Sequence, residues 1–254
     1  MTPFSAPQGF VIRRLPGGAG WFRPSLEKPI RSLWEKAGAN LRFSEVVRRS
    51  SGSQLHAGRA SVYSASFPGA GTLVVRPCVH GGWWGRLAGD LYFGPSRVQW
   101  EILAADRLHR MKIPTPQVEA VLFYPAGPFL RFEVVTRKIP ESQDLVQRLA
   151  SRPGPAERYR IFSAVRKLLA QLHRQGIRHP DLNARNILLS GKGTSAAWLL
   201  DVDAVQFDTP SSPTVDTANR NRLLRSLLKR ARLGDLGWSE SEVAKLWKEL
   251  FPRR

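Results

Sequence analysis

Asp181, Asn186 and Asp201 are the residues of this chain whose types and spacing could do chemistry together. They stand in His179-Pro180-Asp181-Leu182-Asn183-Ala184-Arg185-Asn186-Ile187-Leu188-Leu189 and, after a second apolar run, in Trp198-Leu199-Leu200-Asp201-Val202-Asp203. A carboxylate and a carboxamide at the two ends of a short loop can aim one group at an acceptor hydroxyl and the other at a metal ion. An apolar strand over 197–200 then brings Asp201 to the same metal from the side. Phosphoryl transfer asks for this arrangement, because it needs little covalent help but needs the nucleophile held in line and the phosphate charge neutralised. Singly, Asp181 and Asn186 would be ordinary loop residues before a buried run, where Asp and Asn are common. Their joint pattern with Asp201 carries the catalytic reading.

That pattern matches the protein-kinase signature HRDLxxxN. There the aspartate meets the acceptor hydroxyl, the asparagine binds metal, and a later aspartate binds Mg²⁺. Asp181 is then the catalytic carboxylate, Asn186 and Asp201 are metal ligands, and ATP and Mg²⁺ are required. His179 organises the loop rather than acting as a base. Asp203 is either a second metal or acceptor-binding carboxylate or a loop-stabilising group. On the nucleotide side, Ala57-Gly58-Arg59-Ala60-Ser61-Val62-Tyr63 stands where a phosphate-covering loop belongs. Gly58 and Arg59 are therefore candidate nucleotide contacts, although one glycine also suits an ordinary turn. Arg76 ends the Thr72-to-Val75 strand where kinases place a lysine, and Glu101 lies on the helix that follows. The two form either a phosphate-holding Arg–Glu pair or a plain surface ion pair.

The elements that must position these groups change character along the chain. Residues 1–40 are rich in Pro and Gly and read as a loosely attached extension with a short helix around Leu33-Trp34. Residues 41–137 read as a nucleotide-side lobe: a hairpin over 61–67 and 72–76, a helix over 96–111, and strands over 117–124 and 129–138. Residues 138–254 read as a helical lobe entered through a hinge near 138–141. It has an amphipathic helix over 155–176 ended by Gly176, then the catalytic loop, and helices over about 216–232 and 239–250. The expected class is α+β, a bilobal protein-kinase-like fold with a small β-rich N-lobe and a helical C-lobe.

Composition narrows the partners. With 254 residues and 42% hydrophobic content there is ample material for a core. No stretch approaches the roughly 20 apolar residues that span a bilayer. Pro3, Pro7 and Gly9 break up the N-terminal apolar residues, which argues against a signal peptide and for a cytoplasmic location. Cys78 is the single cysteine, which excludes an intrachain disulfide and a cysteine metal cluster. His56, His80, His109 and His173 show no metal-ligand spacing. The formal charge of +19 implies a polyanionic partner: nucleic acid, an anionic membrane or a phosphorylated substrate. Arg220, Arg222, Arg225, Lys229, Arg230 and Arg232 follow one another without an intervening acid. They form either a solvated face or a surface drawn to anionic lipid. The Gly81-to-Leu87 segment with Trp83-Trp84, together with Leu91-Tyr92-Phe93, suits either core packing or an interfacial anchor.

The chain from about 50 to 230 resembles the 3-deoxy-D-manno-octulosonic acid (Kdo) kinases, small-molecule relatives of protein kinases in Gram-negative bacteria. The resemblance rests on Asp181-Leu182-Asn183-Ala184 with Asn186-Ile187-Leu188-Leu189, where Asn183 replaces the lysine typical of protein kinases. Val75-Arg76, Gly81-Gly82, Gly85-Arg86-Leu87, Trp198-Leu199-Leu200-Asp201 with Asp203, and Asn219 to Ser226 are also similar. The chain departs from the family at Ala60, where a second glycine is usual, and at Val202, where phenylalanine is usual. The resemblance implies ATP-dependent phosphorylation of the 4-hydroxyl of Kdo on a lipid A precursor, in lipopolysaccharide core biosynthesis. It implies peripheral attachment to the anionic cytoplasmic face of the inner membrane, and no nucleic-acid partner is expected. His179, Asn183, Asp203 and Arg222 are candidates for touching the acceptor or supporting the loop. Between Asp203 and the basic helix there is no Ala-Pro-Glu motif and little chain for a protein-substrate platform, which favours a small or lipid-linked acceptor. Other readings are a heptose or other small-molecule kinase of the same superfamily and a non-catalytic basic nucleic-acid-binding protein. The last would call for a nucleic-acid motif or aromatics interleaved with basic residues, and the sequence has neither.

Overall fold

The computed structural model describes residues 5–15, 17–37, 41–50, 52–56, 61–79, 89–191 and 196–251. They fall into two compact units, Met1–Leu103 with Gln117–Lys138 and Ala104–Pro116 with Ile139–Arg254. Gly58, Arg59 and the Gly81-to-Leu87 segment with its two tryptophans lie outside the described residues.

Alternating and apolar runs make the first unit β-rich. Strands β1 (Val11–Leu15), β2 (Gly18–Phe22), β3 (Gln54–His56), β4 (Val62–Phe67), β5 (Gly71–Pro77), β6 (Val118–Ala126) and β7 (Phe129–Arg137) form a seven-stranded sheet in the order β1-β2-β6-β7-β5-β4-β3. Every neighbouring pair is antiparallel. Helices α1 (Pro24–Ala37) and α2 (Phe43–Arg49) share its core: Ile30, Trp34, Phe43 and Val47 cluster with Leu73, Val75, Leu122 and Val135. Burying a side chain of this size stabilises by about 1.5–3 kcal/mol. Cys78 follows β5 and is buried, its N–H donating to Phe132 O at 2.9 Å.

The expectation of a loose extension over residues 1–40 is corrected here. β2 pairs along β6 from Ala19↔Phe123 to Phe22↔Ala120, and Trp21, Phe22, Leu26, Ile30 and Trp34 are almost wholly buried. Apolar burial outweighs the Pro and Gly content that suggested a loose segment. The helix placed around Leu33-Trp34 is the 14-residue α1.

Glu133 of β7 supplies the cap that the sequence of α2 lacks. Its carboxyl accepts from Ser44 N–H at 3.0 Å, Ser44 Oγ at 2.5 Å and Tyr124 Oη at 2.7 Å, while Tyr124 Oη accepts from Phe43 N–H at 2.8 Å. Burial pushes the Glu133 carboxyl up, and the bonds from Ser44 and Tyr124 pull it back. Tyr92 is buried and packs edge-on against Phe132 at 5.5 Å, whereas Phe93 is exposed against Phe129.

Helix α3 (Ser96–Arg110) crosses in sequence from the first unit to the second. The second unit is mainly helical: α4 (Leu145–Ala150), α5 (Pro155–Arg174), α6 (Pro213–Arg232) and α7 (Glu240–Leu250). In α5 Ile161, Phe162, Val165, Leu168, Leu169 and Leu172 recur at helical spacing and are all buried. Strands β8 (Ser142–Asp144), β10 (Ile187–Ser190) and β11 (Ala196–Leu199) make a three-stranded sheet, and β9 (Ile177–Arg178) pairs with β12 (Gln206–Phe207). A β-rich first unit and a helical second one give the α+β class expected from the sequence.

Candidate active site

Two short β pairs hold the chemistry-bearing segments of the second unit. Residues 179–186 run from β9 to β10, and residues 200–205 run from β11 back to β12. Both loops are therefore slung between the β9–β12 ribbon and the β10–β11 hairpin. Hydrogen bonds lace them together: Leu200 N–H donates to Asn186 O at 2.8 Å, and His179 Nε2 meets Leu200 O at 3.2 Å. Entry to the first loop depends on Gly176. Its φ of +65° is left-handed, and a Cβ there would collide with the backbone of Asp208 and Thr209.

Within the loop, polar groups are spent on shape. Asn183 Oδ1 accepts from Arg185 N–H at 2.9 Å, capping the 3₁₀ turn Ala184–Asn186, and Asn183 Nδ2 donates to Asp181 O at 3.1 Å. Asn186 Nδ2 donates to the same carbonyl at 3.1 Å, which turns its Oδ1 away from the loop backbone. His179 is buried, and its Nε2 faces a carbonyl that can only accept, so Nε2 carries the ring proton. Burial pushes its pKa down, while the bond to Leu200 and the charges of Asp201, Asp181 and Asp203 oppose the shift. The contact with Leu200 O fixes the imidazole between the two loops.

Asp201 adopts φ 58° and ψ 51°, the left-handed region. Asp tolerates that conformation better than most residues, and such backbone concentrates at functional sites. It enters the 3₁₀ turn Val202–Ala204, which carries Asp203. Asp201 follows the residue that closes the hairpin onto Asn186, so the two candidate metal ligands leave the same end of the β10–β11 hairpin.

Helix α6 docks this loop from 40 residues further along the chain. Asn219, nearly fully buried, accepts from His179 N–H at 3.0 Å and donates to Ile177 O at 2.8 Å. Ser226 Oγ accepts from Ala184 N–H at 3.0 Å. Between them, Arg222 Nη2 donates to Asp181 Oδ1 at 2.7 Å. Asn219, Arg222 and Ser226 share one helix face. Sequence reasoning named Arg222 without its partner and gave Asn219 and Ser226 no role. The available signal was their polarity at a seven-residue spacing beside the buried Leu223 and Leu227.

The rest of the basic run meets acids from outside it. Arg220 pairs with Asp216, Arg230 with Asp235 and Arg232 with Glu240, leaving Arg225 and Lys229 among the exposed positions of the run. In the first unit Arg76 Nη2 donates to the buried Glu101 at 2.5 Å.

Comparison with known proteins agrees with this chemistry. Residues 52–249 match the lipopolysaccharide kinase (Kdo/WaaP) family. A 3-deoxy-D-manno-octulosonic acid kinase of Stenotrophomonas maltophilia (strain R551-3) is 32% identical over 176 residues, which is 68% of each chain. One from Haemophilus influenzae (strain PittGG) is 31% identical over 179 residues, 68% of this chain and 72% of its own. A solved structure described as WaaP in complex with acyl carrier protein is 19% identical with a TM-score of 0.46, covering 87% of this chain and 97% of that one. With the matched segment running through both units and taking in the whole Asp181-to-Asp201 loop system, the chain belongs to the lipopolysaccharide kinase (Kdo/WaaP) family and is a phosphotransferase with an alcohol group as acceptor.

Proposed function

We propose that the protein transfers the γ-phosphoryl group of ATP to the 4-hydroxyl of Kdo on a lipid A precursor, while attached peripherally to the cytoplasmic face of the inner membrane. The observation that carries the reading is the loop closed by Asn186 Nδ2 on Asp181 O, which sets a carboxylate and an outward carboxamide oxygen at its two ends. Kdo kinases at about a third identity over two thirds of the chain support the sugar class.

In this reading Asp181 orients the acceptor hydroxyl and takes its proton. Asn186 Oδ1 and the Asp201 carboxylate hold Mg²⁺. The donor set fits: both are hard oxygen donors, and Mg²⁺ is commonly held by one or two carboxylates plus waters and substrate phosphates rather than by an all-protein cage. The metal would neutralise the phosphate charge. Arg76, braced by Glu101, serves the nucleotide phosphates, as do Gly58 and Arg59; Asp203 supports the metal or the acceptor. Among the described residues no helix is long and apolar enough to cross a membrane.

The test is transfer from labelled ATP to a panel of Kdo-bearing and heptose-bearing lipid A precursors, with the product's phosphate located by NMR. Phosphate on the Kdo 4-hydroxyl is expected. Exclusive labelling of heptose, or of another Kdo hydroxyl, would replace the proposed acceptor.

A further inference from the structure

The catalytic loop is short of positive charge at the point where phosphoryl transfer creates negative charge. Asn183 spends both ends of its amide on loop backbone. Arg185 lies 3.9 Å from Asp235, and His179 is buried with its pKa pushed down. Among the described residues the cation that reaches Asp181 is Arg222, 41 residues further on.

Stability alone is a poor reason for that contact. The two side chains are 41% and 47% exposed, and exposed ion pairs contribute only about 0–1 kcal/mol. Yet α6 is pinned under the loop on both sides of Arg222, by the buried Asn219 and by Ser226. A guanidinium offers five N–H donors in a rigid fork, and the bond to Asp181 uses one. Solvent-accessible donors are thus held beside the carboxylate that meets the acceptor.

Building on the kinase reading above, we infer that Arg222 is an arginine finger supplied in cis, whose remaining donors bind the phosphoryl group in transit. In the step, the bond between the γ-phosphorus and the bridging oxygen of ATP breaks and its electron pair stays on ADP. A bond forms from the acceptor hydroxyl oxygen to phosphorus, and the hydroxyl proton passes to Asp181. Charge spreads over the three equatorial oxygens during transfer, and a fixed guanidinium stabilises that charge more than the ground state. By holding Asp181 through Oδ1, Arg222 also leaves Oδ2 to face the hydroxyl.

Arg222→Gln tests this in the full chain with three measurements in the presence of magnesium: sugar phosphorylation, ATP hydrolysis without acceptor, and calorimetric affinity for ADP with and without aluminium fluoride, a mimic of the phosphoryl group in transit. The variant is expected to lose about 10³-fold in kcat for both reactions, the lower end for an arginine finger. It should bind ADP with aluminium fluoride at least tenfold more weakly and ADP alone within about twofold, which also shows that it is folded. A variant with wild-type hydrolysis and wild-type affinity for ADP with aluminium fluoride would overturn the inference, and a raised acceptor KM would then make Arg222 an acceptor anchor. Failure of the wild-type protein to phosphorylate any sugar would count against the function proposed above, while the aluminium fluoride comparison would still judge Arg222.

Discussion

Asp181 and Asp201 carry the same functional group, but the backbone holds them differently, and that difference shapes how each should be tested. Asp201 sits in the left-handed region, so replacement by alanine would add backbone strain to the loss of charge. Asn tolerates that conformation and is nearly isosteric, so Asp201→Asn removes the charge alone. Asp181→Asn is expected to cut turnover at least about 10²-fold, the lower end for a general base, while Mg-ATP affinity survives. Asp201→Asn is expected to lose Mg-dependent ATP affinity together with turnover. Calorimetry with Mg-ATP separates the two, and unchanged affinity in Asp201→Asn would remove it from the metal. These residues were legible in the sequence because a catalytic loop is local: Asp181 and Asn186 are joined by one turn of chain. The Arg76–Glu101 pair was foreseeable from strand-then-helix order. The Arg222–Asp181 contact was not, because it depends on which face of a distant helix meets the loop.

Helix α6 shows how one element can serve a site it does not seem to belong to. Its basic residues read as either a solvated face or a surface drawn to anionic lipid, yet the face carrying Asn219, Arg222 and Ser226 is turned to the Asp181-to-Asn186 loop. Asn219→Ala would leave His179 N–H and Ile177 O without their partner in a buried setting. At about 1–3 kcal/mol for each stranded group, unfolding free energy should fall by about 2–6 kcal/mol, read by urea denaturation. Turnover should fall too, although Asn219 touches no substrate, because the loop loses its anchor. A loss below about 1 kcal/mol would show that α6 is held by its apolar residues instead. Much of the element order was readable in advance: the hairpin at β4 and β5, the strands β6 and β7, and the helices α3, α5, α6 and α7 follow from apolar periodicity and Gly or Pro punctuation. The hairpin of β1 and β2 was missed. Val11-Ile12-Arg13-Arg14-Leu15 is short and has two charged residues in five, and its place in the sheet comes from β2 pairing with β6, about a hundred residues away.

Across the whole molecule the surplus of basic residues gives a net charge of +19, and several arginines of α6 are already matched by local acids. The surplus that remains is expected to draw the protein to anionic vesicles at low salt. Raising salt from 0.1 to 1 M shortens the Debye length from about 10 Å to about 3 Å, so binding should fall steeply. Arg225→Gln with Lys229→Gln should weaken sedimentation with anionic vesicles and leave transfer to a soluble acceptor unchanged. Arg222 is left intact in this test because it holds Asp181. Equal sedimentation with neutral and anionic vesicles would refute the electrostatic attraction. The single cysteine has a different consequence. Cys78 is buried in the first unit, and the second unit contains no thiol. A thiol-modifying dye therefore acts as a clock that runs only while the first unit is open, and it is silent to any opening confined to the second. Modification of the native chain should be at least about 100-fold slower than of the urea-unfolded chain, each tenfold of slowing corresponding to about 1.4 kcal/mol of opening. The native protein thus carries, with no engineered label, its own timer for the first unit.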